Sequence, residues 1–272
     1  MVVSNTAQEG LPDVEVNNVT PQLAWSESRI IITNPGPKLF ERMATLYDNE
    51  VDAFNELIDN CWDANANDIV VGIVGEDSGQ GIKEYFIFDD GYGMNAATLR
   101  CALNPAANMH RPKTAHGANN IGLKFAGIKL GGTVEILTVP RDGSPPQMAC
   151  FSTELSEQIG RPAAYFQEMS EDSRKVFDAY TGKASHGTVI RILGAKTKRK
   201  SVTAFKKLLS DSFGQTYHRI LNSTRKISVI TYGEQDIDGQ VKAYDPTGWT
   251  ETVYKECRLT KDFEDYEWNG IK

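Results

Sequence analysis

Residues 56–64 read Glu56-Leu57-Ile58-Asp59-Asn60-Cys61-Trp62-Asp63-Ala64, and residues 89–94 read Asp89-Asp90-Gly91-Tyr92-Gly93-Met94. The first stretch ends a helix pattern over 38–66, in which Leu39, Phe40, Met43, Leu46, Tyr47, Val51, Phe54, Leu57, Ile58 and Cys61 recur at steps of three or four. Asp48-Asn49 is expected to break that helix. Glu56, Asn60 and Asp63 stand at i, i+4 and i+7, so one helix face carries all three. A carboxylate and an amide one turn apart suit a hydrolytic metal site. The amide oxygen ligates a hard cation and the carboxylate polarises water. The same steps occur on any solvated helix face, so the motif needs company.

That company follows along the chain. Ile69–Val74 and Tyr85–Phe88 are rich in Val, Ile and aromatics around the turn-like EDSGQG, a hairpin pattern. Asp89 then stands at a strand end, where a carboxylate can accept a hydrogen bond from an exocyclic amine such as adenine N6. Gly91 and Gly93 permit a tight turn and close backbone approach to a ligand. Residues from Asp89 to about Asn120 read as a long loop with few apolar anchors, the usual signature of a lid.

Gly117-Ala118-Asn119-Asn120-Ile121-Gly122-Leu123-Lys124 opens into a helix-compatible run. Backbone N–H groups at a helix start bind anions, and Lys124 adds charge. This is not a Walker A loop, because Phe125 follows Lys124 where Ser or Thr is needed. A second hairpin is expected from Thr133–Val139 and Gln147–Phe151. His186-Gly187-Thr188 opens the strand Thr188–Leu193, residues 201–221 form an amphipathic helix, and Ile227–Thr231 is a short strand. Residues 154–184 have no clear period. Hairpins point to a mixed or antiparallel sheet, not a doubly wound parallel one.

The order ELIDNCWDA, DDGYGM, GANNIGLK and HGT resembles the GHKL ATPase superfamily over about residues 38–193. GLKFAGIKLG is most similar to the MORC and MORC-like branch. The resemblance implies an α/β Bergerat fold, a mixed, mostly antiparallel sheet with helices on one face and ATP between the two. It implies Glu56 as general base and Asn60 as the Mg²⁺ ligand. Asp63 would support the metal and water shell, and Asp89 with Thr188 would read adenine. Gly91, Gly93 and Met94 would wrap the base. Gly117, Asn119, Asn120, Ile121, Gly122, Leu123 and Lys124 would hold the phosphates, and residues 95–116 would form the lid. Asn120 replaces the middle glycine of the MORC-like loop, a substitution tolerated because Asn enters the left-handed region more readily than most residues.

The resemblance also implies ATP hydrolysis that drives lid closure and N-terminal dimerisation of a clamp. Nucleotide-gated dimerisation with negligible turnover is the alternative. A histidine-kinase-like phosphotransfer ranks last, because Glu56 is present and none of the four histidines sits on a convincing acceptor helix. By this reading residues 1–24 are a flexible lead-in, 25–195 the ATP-binding domain, and 196–272 the beginning of a transducer-like segment.

Composition bounds the partners. The chain has 272 residues, 40% hydrophobic, with net charge −7, which excludes a uniformly basic nucleic-acid coat. Yet Lys183 to Ser210 holds no Asp or Glu. It carries Lys183, Arg191, Lys196, Lys198, Arg199, Lys200, Lys206 and Lys207. Segment 183–207 is a candidate DNA contact, but a solvated loop and helix face is the favoured reading, since clustered lysines on an exposed helix are common. No run is long and apolar enough for a membrane span, and the N-terminus lacks a signal-peptide pattern. Four dispersed cysteines without a CxxC pair argue against zinc and a disulfide framework. They fit a reducing compartment, the cytoplasm or a nucleus.

Overall fold

The computed structural model describes residues 35–77, 79, 81–104, 122–233 and 239–245. The long apolar stripe divides into α1 (Leu39–Ala44) and α2 (Glu50–Asp63). Asn49 makes the break: its backbone is extended and its side chain accepts the Asp52 N–H at 3.0 Å, capping α2. From there α2 buries Phe54, Leu57, Ile58, Cys61 and Trp62.

The chain continues as the hairpin β1 (Asp68–Gly75) and β2 (Ile82–Asp89), then α3 (Ala96–Leu103). After the segment 105–121, which lies outside the described residues, come α4 (Gly122–Leu130) and the hairpin β3 (Gly131–Val139) and β4 (Gln147–Ser152). α5 (Thr153–Ile159), β5 (Ala164–Glu168), α6 (Glu171–Thr181) and β6 (Gly187–Ala195) follow. α7 (Val202–Thr216), α8 (His218–Leu221) and β7 (Lys226–Thr231) complete the elements. The seven strands make one sheet in the order β5-β4-β3-β6-β2-β1-β7. Every neighbouring pair is antiparallel except β1 with β7. This is the mixed, mostly antiparallel α/β sheet the sequence leads one to expect.

Alternation decides what each face carries. Tyr85 and Ile87 on β2, Val134 and Ile136 on β3, and Ile190 and Ile192 on β6 share one face. There they meet Phe54 and Leu57 of α2, Phe125 and Ile128 of α4, and Phe205, Leu209 and Phe213 of α7. Each such side chain, fully buried, contributes about 1.5–3 kcal/mol relative to exposure. α6 departs from the one-faced expectation. Its Phe177 packs on the opposite face with Phe88, Leu137, Val139 and Val189. On that face Arg191 donates bidentately to Glu84 at 2.8 and 3.2 Å and to Glu135 at 2.6 Å, beneath Tyr180.

Two other expectations change. The region from Asp89 is not all loop, because Asn95 caps α3 by accepting the Thr98 N–H, and Leu99 and Ala102 are buried. Residues 154–184 resolve into α5, β5 and α6. Ser152 and Ser170 cap the two helix starts, and left-handed Gly160 and Gly182 end them. After residue 195, β7 pairs in the sheet beside β1, and α7 adds Phe205, Leu209 and Phe213 to the core.

Candidate functional site

Glu56, Asn60 and Asp63 share one half-buried face of α2, as their spacing requires. Asn60 donates its amide N–H to the Glu56 carbonyl at 2.7 Å, which commits its nitrogen to the helix. The Glu56 carboxylate lies against Gly122, so closely that a Cβ on Gly122 would overlap it. Burial, then Asp59 and Asp63, raise the Glu56 carboxyl above its ordinary range. A carboxylate held there is a stronger base than a solvated one.

Tyr47 and Asp59 belong to this cluster and escape sequence reasoning. The Tyr47 hydroxyl reaches toward the Gly122 carbonyl at 3.4 Å, and burial and Glu56 raise its pKa. Asp59 accepts the Tyr217 hydroxyl at 3.0 Å, which also contacts the Asn55 carbonyl at 3.0 Å. The α7–α8 junction is thereby tied to α2. Tyr47 sits on the apolar period, so only its polar tip distinguishes it from a core residue.

The second centre forms where β2, β6 and β3 end. Asp89 pairs with Thr188, and Thr188 with Thr138, each directly across the ladder. Directly opposed residues project on one face with Cβ atoms about 4.5–5.5 Å apart. The three polar groups therefore form a row, next to a row of Ile87, Ile190 and Ile136. All three are buried. Asp89 accepts the Gly91 N–H at 2.9 Å, and burial pushes its carboxyl up to about 7. Cys61 of α2 lies beside it, its thiol raised by burial and by the Asp89 charge.

The adjacent Asp90 does different work. Its Oδ1 accepts the Asn67 and Asp68 N–H groups at 2.7 and 2.9 Å, closing the loop before β1. Gly93 takes φ +65°, and a Cβ there would strike the Val139 carbonyl. The Met94 N–H donates to Thr138 Oγ1 at 2.8 Å. His186 Nδ1 donates to the Gly91 carbonyl at 3.0 Å, tying the start of β6 to the same turn.

Thr138 has no place in the sequence reading. Its signal is phase: it alternates with Val134 and Ile136, so a hydroxyl occupies a core-facing position.

Of the phosphate-loop candidates, Gly117, Asn119, Asn120 and Ile121 lie outside the described residues, as do residues 105–116 of the lid. Gly122 and Leu123 open α4, with Leu123 packed against the core. Lys124, which the sequence reading gives as a charge beside the phosphates, points inward. It is 1% exposed and donates to the Ala102 carbonyl at 2.5 Å in the last turn of α3. The basic stretch is similarly committed in part. Arg191 sits in its carboxylate network, Lys196 donates to the Ile128 carbonyl, and Arg199 pairs with Glu50 at 2.7 Å.

Among the described residues no group of three or more His, Cys, Asp or Glu side chains is assembled for a metal, and no helix is long and apolar enough to cross a membrane. A comparison with curated proteins finds no match to the chain. The family described as histidine kinase-, DNA gyrase B- and HSP90-like ATPase matches residues 48–188, just over half of the chain. That match begins just before the cap of α2 and ends on Thr188, so it contains Glu56, Asn60, Asp89 and the turn between the two centres. The chain belongs to the GHKL-type ATPases.

Proposed function

We propose that the chain binds Mg-ATP and hydrolyses it, with the two centres holding opposite ends of one nucleotide. Asp89 accepts a hydrogen bond from the adenine amine, Thr188 supports it, and Gly91, Gly93 and Met94 pack around the base. Asn60 offers a neutral oxygen to Mg²⁺, with Asp63 ordering the surrounding water. Mg²⁺ commonly takes one or two protein ligands and draws the rest from phosphates and water, so a lone amide suits it. When bound, the ion neutralises charge on the phosphates.

The reading rests most heavily on the Glu56 carboxylate. It is half-buried, raised by burial and by two neighbouring carboxylates, and packed against the first residue of α4. Residues 117–121 of the candidate phosphate motif directly precede that residue in the sequence. Phosphates held by the amides of Gly117, Asn119, Asn120, Ile121, Gly122 and Leu123 would lie beside Glu56, which then takes a proton from the attacking water. Lys124 anchors α3 to α4 through Ala102 rather than reaching outward, so the backbone amides carry phosphate binding in this reading.

The resemblance of GLKFAGIKLG to the MORC-like branch supports a clamp cycle in which residues 95–116 close over ATP and two chains associate. α3 begins that lid, and Lys124 links it to the helix behind the phosphates. DNA has less support as a partner, because Arg191, Lys196 and Arg199 of segment 183–207 have internal partners.

The test is ATP turnover by wild type and Glu56→Ala. A general base contributes about 10²–10⁴-fold. The variant should bind ATP and lose hydrolysis by at least the lower figure. Equal turnover would remove Glu56 from the reaction.

A further inference from the structure

Thr138 is 0% exposed, yet it carries a hydroxyl on a face of isoleucine, valine and aromatic side chains. A buried hydroxyl costs stability unless its hydrogen bonds are made. Thr138 makes them with three partners: it accepts the Met94 N–H at 2.8 Å, and it lies 3.3 Å from the Gly187 carbonyl and 3.1 Å from Thr188 Oγ1.

One hydroxyl has a single proton and two lone pairs. The Met94 N–H takes one lone pair. The Gly187 carbonyl can only accept, so that contact uses the Thr138 proton. In that arrangement Thr188 donates its own proton to the second lone pair of Thr138 and offers lone pairs alone toward Asp89. In the other arrangement Thr138 donates to Thr188, whose proton is then free to point at a ligand. The 3.1 Å contact to Thr188 is kept in both arrangements, whereas the 3.3 Å contact to Gly187 is a hydrogen bond in the first alone.

We propose that Thr138 is a positioning residue for nucleobase selection, setting whether the Thr188 hydroxyl donates or accepts while holding Met94 against the base. This rests on the reading of Asp89 as the adenine-binding carboxylate. An adenine edge presents a donor amine beside an acceptor nitrogen, and a guanine edge presents the reverse. Ionised Asp89 supplies the acceptor, and Thr188 supplies the donor only when Thr138 donates to it. The same oxygen fixes Met94 through its amide, so loss of the hydroxyl loosens both the hydrogen-bond polarity and the turn.

The experiment compares ATP and GTP affinity of wild type, Thr138→Val, Thr138→Ser and Asp89→Asn by titration calorimetry. Valine preserves shape and removes the hydroxyl, whereas serine keeps it. Thr138→Val should bind ATP about tenfold more weakly and narrow the ATP-to-GTP preference by a similar factor, the scale of one buried hydrogen bond. Thr138→Ser should stay within about twofold of wild type. Thr138→Ala serves the same purpose if valine does not fold.

Wild-type selectivity in the valine or alanine variant, with Asp89→Asn impaired, overturns the role of Thr138 and leaves the adenine site standing. Wild-type ATP binding by Asp89→Asn overturns the adenine site itself. A loss in Thr138→Ser equal to that in Thr138→Val means packing rather than the hydroxyl matters, which also overturns the proposal.

Discussion

The Glu56 carboxylate occupies the space that a side chain on Gly122 would need. Gly122 is therefore the residue that lets α2 and α4 approach with a carboxylate between them. Gly122→Ala should swing Glu56 away and reduce ATP turnover by about 10²-fold, near the low end for losing a general base. Stability should fall little, since the displaced carboxylate is only half-buried. Turnover assays and thermal melts on the one variant check this. Unchanged turnover, or turnover lost only in step with unfolding, would break the link between the two residues.

Asp89 gives a pH signature. Burial holds its carboxyl up at about 7, far above an ordinary aspartate. Accepting a base amine requires the ionised form, so ATP affinity should rise from pH 6 to pH 8 by about tenfold, following the ionised fraction. Folding should move the opposite way. The raised native pKa favours the neutral form, so its stabilisation is complete below the unfolded value and is lost as pH climbs through 7. Asp89→Asn stays neutral throughout. Its melting temperature should gain on wild type by several degrees between pH 5 and pH 8, and its nucleotide affinity should lack the rise. A constant gap between the two melting curves would refute the titration.

Arg191 is enclosed by Glu84, Glu135 and the ring of Tyr180, with the Arg191 and Glu84 side chains 18% and 9% exposed. Removing it leaves two carboxylates facing each other on a largely desolvated sheet. Arg191→Ala should cost about 3 kcal/mol in a urea titration. Arg191→Lys should recover only part, because a lysine cannot make the two-pronged contact to Glu84. Full recovery by lysine would show that charge alone suffices.

Gly72 on β1 lies under the Phe86 ring, which fills the place of a Cβ. Gly72→Ala should destabilise by about 1–3 kcal/mol through overpacking. Adding Phe86→Leu should make the pair lose less than the two single changes summed. Strict additivity in urea titrations would mean the ring and the glycine are not coupled.

The parts of the fold that show in the sequence are those with a strong period. α2, both hairpins, β6 and α7 carry clean stripes or alternations of large apolar residues. α3 is hidden because Ala96, Ala97 and Thr98 give no stripe, and only the Asn95 cap and two inward residues mark it. α5 and α6 are short and polar, and their Ser caps and closing glycines are a better guide than hydrophobicity. The pairing of β7 beside β1 is a non-local choice that no local pattern encodes. In the candidate site, the shared face of Glu56 and Asn60 and the strand-end position of Asp89 are legible because helix spacing and a strand end are local geometry. Thr138 is not, because its importance arises from register across three strands. The burial of Lys124 is hidden for a related reason: only packing shows that its side chain turns inward to the Ala102 carbonyl.

Were the polar row to bind the base as proposed, ligand binding would be tied to completion of folding. Thr138 and Thr188 are 50 residues apart, and Asp89 reaches them only once β2 has paired with β6 and β6 with β3. Long-range pairings of this kind form late, because loop closure must come first. On the proposed reading, a chain with its hairpins made but β6 unpaired would have no base site. Nucleotide would select the finished sheet from such forms and stabilise it by mass action. Retention on immobilised adenine nucleotide would then act as an assay of strand register as much as of chemistry.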